Sequence, residues 1–342
     1  MRAFHILATL AAAALAAPAP ATPAKLPALG ADATRTSVSG LSSGGFMAVQ
    51  YAVAYSRSTI GAGIVAGGPY GCALAGLTVA LACMQGKPSG AAAYNLATWY
   101  AASAAIDPVD GIARQKIYLF HGKADTIVLA PAMDAVRDFY ADLKVPAANL
   151  AYEREIGAGH AFIAPATGND CAVNGAPYID RCEVGGKAYD QPGAILSHIY
   201  GPLQPKAGPA TARAKPFDQR PYLPASSAMA DTGYVYIPAA CRRGGARCAV
   251  HVVFHGCGQS AKYVGRDVVD MLGYNGWAEA NRIIILYPQV DKSEVAPFNP
   301  QGCWDWWGYT GPALTGFPRF HTQSAPQLRA VRAMVERLTA SH

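Results

Sequence analysis

The chain has 342 residues and a net charge of +6, with 51% hydrophobic and only 15% charged residues, against about 25% charged residues in a typical soluble domain. This composition supplies a large core, and 35 Gly and 25 Pro without a repeat period exclude a collagen-like chain and favour many ordered loops. The Lys and Arg residues are scattered and form no basic stripe with interleaved aromatics, so nucleic-acid binding is not indicated and a neutral substrate fits better.

The first residues have the pattern of an export signal. MRAFHILATLAAAALAAPAPATPA combines one Arg, an apolar run and small residues, with an A-x-A cleavage site at residues 19–21. We therefore expect a signal peptide over 1–21, a mature chain over 22–342, and secretion to the periplasm or the medium. An N-terminal anchor helix is the alternative, but the apolar run is short for a bilayer span.

The eight cysteines fit an oxidising compartment, in which an even number of them is expected to pair. Sequence proximity favours three short-range pairs and leaves one long-range pair, although the count alone cannot choose among the connectivities. The predicted pairs are Cys72 with Cys83, Cys171 with Cys182, Cys241 with Cys248, and Cys257 with Cys303. Metal ligation is the rival interpretation, but neither C-x-x-C nor H-E-x-x-H occurs, so we expect no metal and no cofactor.

Apolar strands and helices alternate along the chain. The sequence predicts an α/β fold with a mostly parallel sheet, because strands that alternate with helices form parallel pairs. A Pro-rich connection at 201–224 could divide two domains or join two halves of one. The predicted strands are 36–41, 60–68, 116–122, 149–156, 233–238, 248–256 and 282–288, and the helical segments are 44–55, 130–143, 263–280 and 325–338.

The segment Gly40-Leu41-Ser42-Ser43-Gly44 matches the G-x-S-x-G nucleophile elbow of serine hydrolases, in which a Ser lies on a tight strand-to-helix turn. Such a short motif also arises by chance, but here a predicted strand precedes it and a predicted helix follows. Ser42 is the predicted nucleophile because the two glycines flank it symmetrically. The backbone N–H of Ser43 is then a candidate donor to an oxyanion.

Asp125 and His160 complete the hydrolase chain order of Ser, acid and His. Asp125 follows the predicted strand 116–122, and His160 lies in a Gly-containing loop after the next strand, at the strand ends where α/β active sites gather. Asp125 could instead be a helix cap, and His160 a structural loop residue. His121 and His255 are the rival histidines, and we interpret both as loop-positioning residues because the expected chain order favours His160.

The second oxyanion donor of such enzymes comes from a loop after an early strand, often marked by His-Gly. No such loop precedes Ser42, but His255-Gly256-Cys257-Gly258-Gln259 follows a later predicted strand. If the segment 230–290 supplies the strands that conventionally come first, the domain is circularly permuted. The Pro-rich connection would then join the old ends, which is tolerable because domain termini are often close together.

Six motifs in order, GLSSGGFMA, HGKADTIV, GAGHAF, ADTGYVYIP, FHGCGQ and NPQGCWDWWGY, resemble those of extracellular poly(3-hydroxybutyrate) depolymerases. The likeness is to the type with the lipase box near the N-terminus and a single, circularly permuted α/β-hydrolase domain, and it covers nearly the whole mature chain. It implies a triad of Ser42, Asp125 and His160 and an oxyanion hole formed by the amides of Ser43 and Cys257. It also implies that the disulfide of Cys257 ties this loop to a Trp-rich loop.

The Trp-rich loop would place four aromatic residues near the cleft, where they could line a groove for an apolar polyester. These residues are Trp304, Trp306, Trp307 and Tyr309. Core packing is the alternative for each Trp.

The resemblance implies a secreted serine esterase that hydrolyses poly(3-hydroxybutyrate) or its oligomers. We expect a monomer without a separate substrate-binding domain, whose partner is a polyester or a hydroxyalkanoate oligomer, with no nucleic acid and no membrane. A feruloyl or acetyl-xylan esterase of the same fold is the alternative, and a non-catalytic polymer-binding protein is a third hypothesis.

Overall fold

The fold was obtained as a computed structural model, which describes residues 23–206, 213–242, 247–311 and 319–341. The predicted signal peptide at 1–21 lies outside the described residues, as do residues 207–212 of the Pro-rich connection. The strands in chain order are β1 (Thr36–Leu41), β2 (Thr59–Val65), β3 (Lys116–Phe120), β4 (Leu150–Glu153), β5 (Phe162–Ile163), β6 (Asn169–Asp170), β7 (Ile179–Arg181), β8 (Glu183–Val184), β9 (Lys187–Ala188), β10 (Lys215–Asp218), β11 (Thr232–Tyr236), β12 (Ala249–Phe254) and β13 (Ile283–Tyr287). The α-helices are α1 (Ser43–Ala54), α2 (Leu77–Gln85), α3 (Gly90–Ala102), α4 (Ala130–Asp142), α5 (Gln191–Tyr200), α6 (Ala261–Val264), α7 (Asp267–Asp270), α8 (Tyr274–Asn281) and α9 (Pro326–Thr339).

An eight-stranded sheet with the order β10-β11-β13-β12-β1-β2-β3-β4 forms the centre of the molecule. Strand β11 is antiparallel to its neighbours, and the strands from β13 to β4 in this order are parallel. Within this sheet, β10 to β13 lie on one side of β1, and β2 to β4 lie on the other, whereas β5 to β9 form two small separate sheets. This order agrees with the predicted circular permutation, because the late strand β12 lies beside β1.

Helices cover both faces of the sheet, so the molecule has three layers. One buried cluster includes Leu119 of β3 together with residues of α1, α3, α4 and α9, and the other includes Phe120 of β3 with residues of α5 and α8. Neighbouring residues of one strand enter opposite clusters because successive side chains point to opposite faces. Among the described residues, none of the helices has the length and hydropathy required to cross a bilayer.

The Pro-rich connection and the segment 263–280 differ from the expectation. The end of the connection forms the edge strand β10, which accepts Pro216 because an edge position does not require every backbone N–H. The segment 263–280 contains short helices rather than one, since Gly265 and Gly273 adopt positive φ values of 59° and 102° between them. Helices α2, α3 and α5 were not predicted from the sequence.

All four predicted disulfides are present in the structure, namely Cys72–Cys83, Cys171–Cys182, Cys241–Cys248 and Cys257–Cys303. Three of them close short loops of 7 to 11 residues, whereas the fourth joins segments 46 residues apart. The long-range bond therefore links two separate loops, one of which follows β12.

Three histidines, His251, His255 and His321, are fully buried. Burial lowers the pKa of His251 to about 3, that of His255 to about 4 and that of His321 to about 3. In an unfolded chain a His has a pKa of about 6.5. Below that pH the unfolded state binds protons that the folded state does not bind, so these residues make the free energy of unfolding fall as the pH falls.

We expect the substitution His321→Leu to weaken this pH dependence. The His321 ring lies among Tyr70, Tyr100 and Phe320, and neither of its nitrogens has a hydrogen-bond partner among the described residues. Between about pH 6 and about pH 4, the free energy of unfolding should fall less steeply with falling pH in the variant than in the wild type. The difference in slope should be up to about 1.4 kcal/mol per pH unit. Urea unfolding at several pH values measures the two slopes, and equal slopes would show that the folded protein does not hold His321 neutral.

Candidate active site

Ser42 lies on a tight turn between β1 and α1. Its φ of 56° and ψ of −122° are unusual for a residue with a side chain. Its backbone N–H donates to Val65 O at the end of β2, at 2.9 Å, and its carbonyl accepts the N–H of Phe46 at 2.9 Å. The strained turn is the geometry expected of a nucleophile elbow, in which the Ser side chain stands above the sheet.

Gly40 and Gly44 are required by close backbone contacts on either side of Ser42. A Cβ on Gly40 would lie 2.2 Å from Gly44 O, and a Cβ on Gly44 would lie 2.3 Å from Phe254 O and 2.5 Å from His255 O. The second contact joins the elbow to the end of β12. The glycines of the motif therefore allow the turn and also bring the His255-Gly256-Cys257 segment against it.

Asp125 and His160 form a buried hydrogen-bonded pair. His160 Nδ1 lies 2.8 Å from Asp125 Oδ2, and the two side chains are 4% and 0% exposed. Asp125 Oδ1 accepts the backbone N–H groups of Ile127 at 2.9 Å and Val128 at 3.0 Å. With a carboxylate acceptor at Nδ1, that nitrogen carries the proton and Nε2 is left as the basic nitrogen. Among the described residues, no hydrogen bond joins the His160 ring to Ser42 Oγ.

The segments that carry the predicted residues leave the same edge of the sheet. Ser42 follows β1, Asp125 follows β3, His160 follows β4 and Cys257 follows β12, and these strands run parallel. The carboxyl ends of parallel strands meet at one edge, which is where α/β proteins bind ligands. The strand order places β12 directly beside β1, so the Cys257 loop lies next to the elbow.

The loop after β12, residues 255–259, is held in place by its own contacts. The Gly256 N–H donates to Gln259 Oε1 at 2.7 Å, and Cys257 is bonded to Cys303. Neither the N–H of Cys257 nor that of Ser43, the first residue of α1, has an acceptor among the described residues. Free, fixed N–H groups of this kind are what an oxyanion hole requires.

His121 and His255 lie in contacts that fit the loop-positioning interpretation. His121 Nε2 lies 3.0 Å from Val128 O, which closes the loop that carries the acid. His255 Nδ1 lies 2.8 Å from Gly256 O, and its Nε2 accepts the N–H of Val290 at 3.2 Å. Within the described part of the chain, no group of three or more His, Cys, Asp and Glu residues is arranged to hold a metal ion.

A second Ser–His cluster lies inside the sheet and was not found from the sequence. Ser37 Oγ lies 2.7 Å from His251 Nδ1, and Ser39 Oγ lies 2.8 Å from His251 Nε2. The hydroxyls of Tyr200 and Tyr274 complete the cluster at 2.7 and 2.8 Å. Both serines and the His are 0% exposed. A Ser in this position cannot meet a substrate, so the cluster is a buried polar contact between β1 and β12.

The four aromatic residues of the Trp-rich loop have different surroundings. Trp304 is 0% exposed and packs edge-on against Phe254, with ring centroids 4.9 Å apart. The expectation that Trp304 lines a substrate groove is therefore wrong, because its ring fills the core behind β12. Trp306 is 4% exposed, and Trp307 and Tyr309 are half-buried. For these three residues substrate contact stays a prediction.

Asp305 organises the Trp-rich loop and was missed at the sequence level. Its carboxylate accepts the backbone N–H groups of Trp307, Gly308, Tyr309 and Thr310 at 2.6–3.3 Å. Burial raises the pKa of the Asp305 carboxyl, and these hydrogen bonds oppose that rise. The loop is therefore folded around one buried acid, a role that a lone Asp in a sequence does not reveal.

No family model matches the chain. It is 42% identical over 323 residues to a poly(3-hydroxybutyrate) depolymerase of Delftia acidovorans, an alignment that covers 92% of this chain and 62% of that protein. It is 37% identical over 301 residues to a polyhydroxybutyrate depolymerase of Talaromyces funiculosus, which covers 84% of this chain and 86% of that protein. The chain therefore spans less than two thirds of the Delftia protein and most of the Talaromyces protein.

Two solved structures share the fold. One is a PHB depolymerase complexed with an R3HB trimer, with a TM-score of 0.83, and the other is the PHB depolymerase from Penicillium funiculosum, with a TM-score of 0.82. Each is 33% identical to this chain and covers 92% of it, and the match includes 98% of the solved chain. The similarity thus extends over most of this chain and nearly all of each solved chain.

Gly44→Ala should destabilise the elbow. The added methyl group would overlap the carbonyls of Phe254 and His255, and overpacking of this kind costs about 1–3 kcal/mol. The matched control is Gly157→Ala, because a Cβ on Gly157 meets nothing within 4 Å. Thermal unfolding of both variants tests the contact, and equal midpoints would contradict it.

Proposed function

This chain belongs to the poly(3-hydroxybutyrate) depolymerase family, and from that membership we propose that it is a serine esterase that hydrolyses the ester bonds of poly(3-hydroxybutyrate) or of its oligomers. The observation that carries the proposal is the buried pair of Asp125 and His160. This pair lies at the sheet edge that also carries the Ser42 elbow and two free backbone N–H groups. A nucleophile, an acid and a base in this chain order suit acyl transfer.

In the proposed reaction His160 Nε2 takes the proton of Ser42 as Ser42 Oγ attacks the ester carbonyl carbon. Asp125 keeps the proton on Nδ1 and stabilises the imidazolium that forms. His160 then gives its proton to the leaving alkoxide of the cleaved chain, and a 3-hydroxyacyl ester remains on Ser42. Water attacks this ester with His160 as the base, which releases the acid product and restores the enzyme.

The oxyanion of both tetrahedral intermediates is proposed to accept hydrogen bonds from the N–H groups of Ser43 and Cys257. The contacts around Cys257 support this role, because its bond to Cys303 restrains the loop. The N–H of Trp304 also donates to Ser43 Oγ at 3.3 Å, which ties the Trp-rich loop to the elbow. Donors fixed before the reaction need no reorganisation when charge develops, and this is usually the largest electrostatic contribution to catalysis.

An uncharged, apolar surface beside the site supports a polyester substrate. Residues 58–86 contain no Asp, Glu, Lys or Arg, and α2 within this segment leaves Leu77 61% and Leu81 52% exposed. The end of α2 contacts the segment after the acid, where the Leu129 N–H donates to Met84 O at 2.8 Å. A plant polysaccharide ester carries many hydroxyl groups that require polar partners, whereas a hydroxybutyrate polyester does not.

The proposal includes secretion and action outside the cytoplasm. Four disulfides support an oxidising compartment, and the predicted signal peptide supports export. The proposed partner is the polyester or a hydroxyalkanoate oligomer, and the proposed working form is a monomer.

Ser42→Ala should reduce the hydrolysis of p-nitrophenyl butyrate by on the order of 10⁶-fold and leave the fold intact, because it removes only the nucleophilic oxygen. Ser37→Ala is the matched control, since Ser37 hydrogen-bonds His251 but is fully buried and cannot meet a substrate. It should keep most of the activity. Steady-state kinetics and circular dichroism of both variants test the assignment, which fails if Ser42→Ala remains active or if Ser37→Ala alone abolishes hydrolysis.

The substrate class is tested by incubating the purified mature protein with poly(3-hydroxybutyrate) film, amorphous granules and feruloylated xylan. We expect 3-hydroxybutyrate and its oligomers from at least one form of the polyester, identified by mass spectrometry, and no ferulate. The Ser42→Ala protein is the control for spontaneous hydrolysis. Release of ferulate without hydroxybutyrate products would favour a carbohydrate esterase of the same fold.

A further inference from the structure

A loop closed by the disulfide Cys171–Cys182 contacts the segments that carry the acid, the base and the proposed oxyanion donor Cys257. We call residues 171–182 the disulfide loop. Its Cys171 O accepts the Gly159 N–H, next to His160, at 2.7 Å. Gln259 Nε2, from the segment after β12, donates to Pro177 O at 2.8 Å and to Tyr178 O at 2.9 Å. The disulfide loop is therefore bonded to the segments that carry the base and the proposed oxyanion donor.

Asn174, in the middle of the disulfide loop, joins the acid segment to the base segment. Its Oδ1 accepts the Thr126 N–H at 3.1 Å and the His160 N–H at 2.9 Å. Its Nδ2 donates to Ala124 O at 2.8 Å and to Ala172 O at 3.3 Å. Two backbone N–H groups thus meet one end of the amide and two carbonyls meet the other, so the orientation of the amide follows from its partners.

These partners are arranged around the catalytic pair. Ala124 and Thr126 are the residues directly before and after Asp125, and the third partner is the backbone of His160 itself. One planar side chain therefore bridges the backbone on both sides of the acid to the backbone of the base. The side-chain hydrogen bond of 2.8 Å between Asp125 and His160 depends on the distance between these two backbones.

We propose that Asn174 is a positioning residue for the Asp125–His160 pair. The effect of Asn174 on catalysis rests on the proposed function, whereas its bridge between the acid segment and the base segment does not. The acid segment and the base segment are also joined by backbone hydrogen bonds, from the Lys123 N–H to Ile156 O at 2.8 Å and from the Ala124 N–H to Ala158 O at 2.9 Å. The Asn174 amide adds the bridge that reaches the residues on both sides of Asp125 and the backbone of His160 itself. Catalytic groups must be held within about 0.5 Å of the productive geometry, and a misplacement of about 1 Å can lower the rate by about 100-fold.

The test compares Asn174→Ala with Asn281→Ala. Asn281 is a matched control because its side chain also accepts one backbone N–H, from Gln204 at 2.8 Å, and donates to two carbonyls, those of Gln204 and Trp277, at 3.0 and 2.9 Å. Both asparagines are half-buried, but Asn281 lies at the end of α8 and has no contact with the site. The two variants should therefore lower the midpoint of thermal unfolding by similar amounts.

For Asn174→Ala we expect kcat on p-nitrophenyl butyrate to fall by about 100-fold, with KM within about 2-fold of the wild type because the substrate surface is untouched. Asn281→Ala should leave both constants near the wild-type values. An Asn174→Ala protein as active as the Asn281→Ala protein would overturn the proposal.

If Asn174→Ala does not fold, Asn174→Asp replaces it, since an aspartate keeps both accepted hydrogen bonds and loses both donated ones. Its kcat should also fall below that of the control, and an equal kcat would overturn the proposal.

A second readout does not depend on activity. The proton between His160 Nδ1 and Asp125 should give a downfield NMR resonance in the wild type, and this resonance should shift or broaden in Asn174→Ala and stay unchanged in Asn281→Ala. An unchanged resonance in Asn174→Ala would overturn the proposal. A wild-type protein that shows the resonance but hydrolyses no ester would overturn the proposed function instead, so the two failures are distinguishable.

Discussion

The parallel pairing of β1 with β12 is the contact on which the rest of the structure depends. It runs in register from Thr36 opposite Val250 to Gly40 opposite Phe254, and it makes one sheet from strands on both sides of the Pro-rich connection. At its end the Gly44 backbone meets the carbonyls of Phe254 and His255. The elbow and the loop that carries Cys257 are neighbours only because these two strands are. A shift of one residue in this register would move the Cys257 N–H, one of the two proposed oxyanion donors, away from the proposed nucleophile.

Two buried carboxylates at this site, those of Asp125 and Asp305, are held in fixed orientations by several hydrogen-bond donors each. The Asp125 carboxylate accepts two backbone N–H groups as well as the His160 ring, and Asp305 accepts four backbone N–H groups of the Trp-rich loop. Buried carboxylates need such partners because desolvation otherwise favours their neutral form. The same hydrogen bonds that make burial tolerable also fix the loops. At this edge of the sheet, the same hydrogen bonds therefore stabilise the fold and preorganise the loops of the site.

The sequence predicted the elements that carry local patterns and missed those that depend on distant contacts. Strand β1 was predicted at 36–41 and observed there, because its β-prone residues and the glycine motif that overlaps its end are both local signals. The edge strand β10 has neither, and its Pro216 suggested a linker. Trp304 could not be separated from its neighbours, since aromatic residues serve cores and grooves alike. The pairing of Asp125 with His160 followed chain order, whereas Asn174 acts through residues up to 50 positions away and leaves no pattern.

The permuted strand order also determines when the sheet can close. Ser37 and His251 touch in the folded protein but are 214 residues apart in the chain. A polypeptide that emerges with its N-terminus first presents β1 with one free edge until residues 249–254 have followed, and contacts between such distant segments are slow to form. We therefore expect the part of the chain that precedes β12 to remain an incomplete, aggregation-prone intermediate during synthesis. A protein of this topology gains from delaying its folding until the entire chain is available.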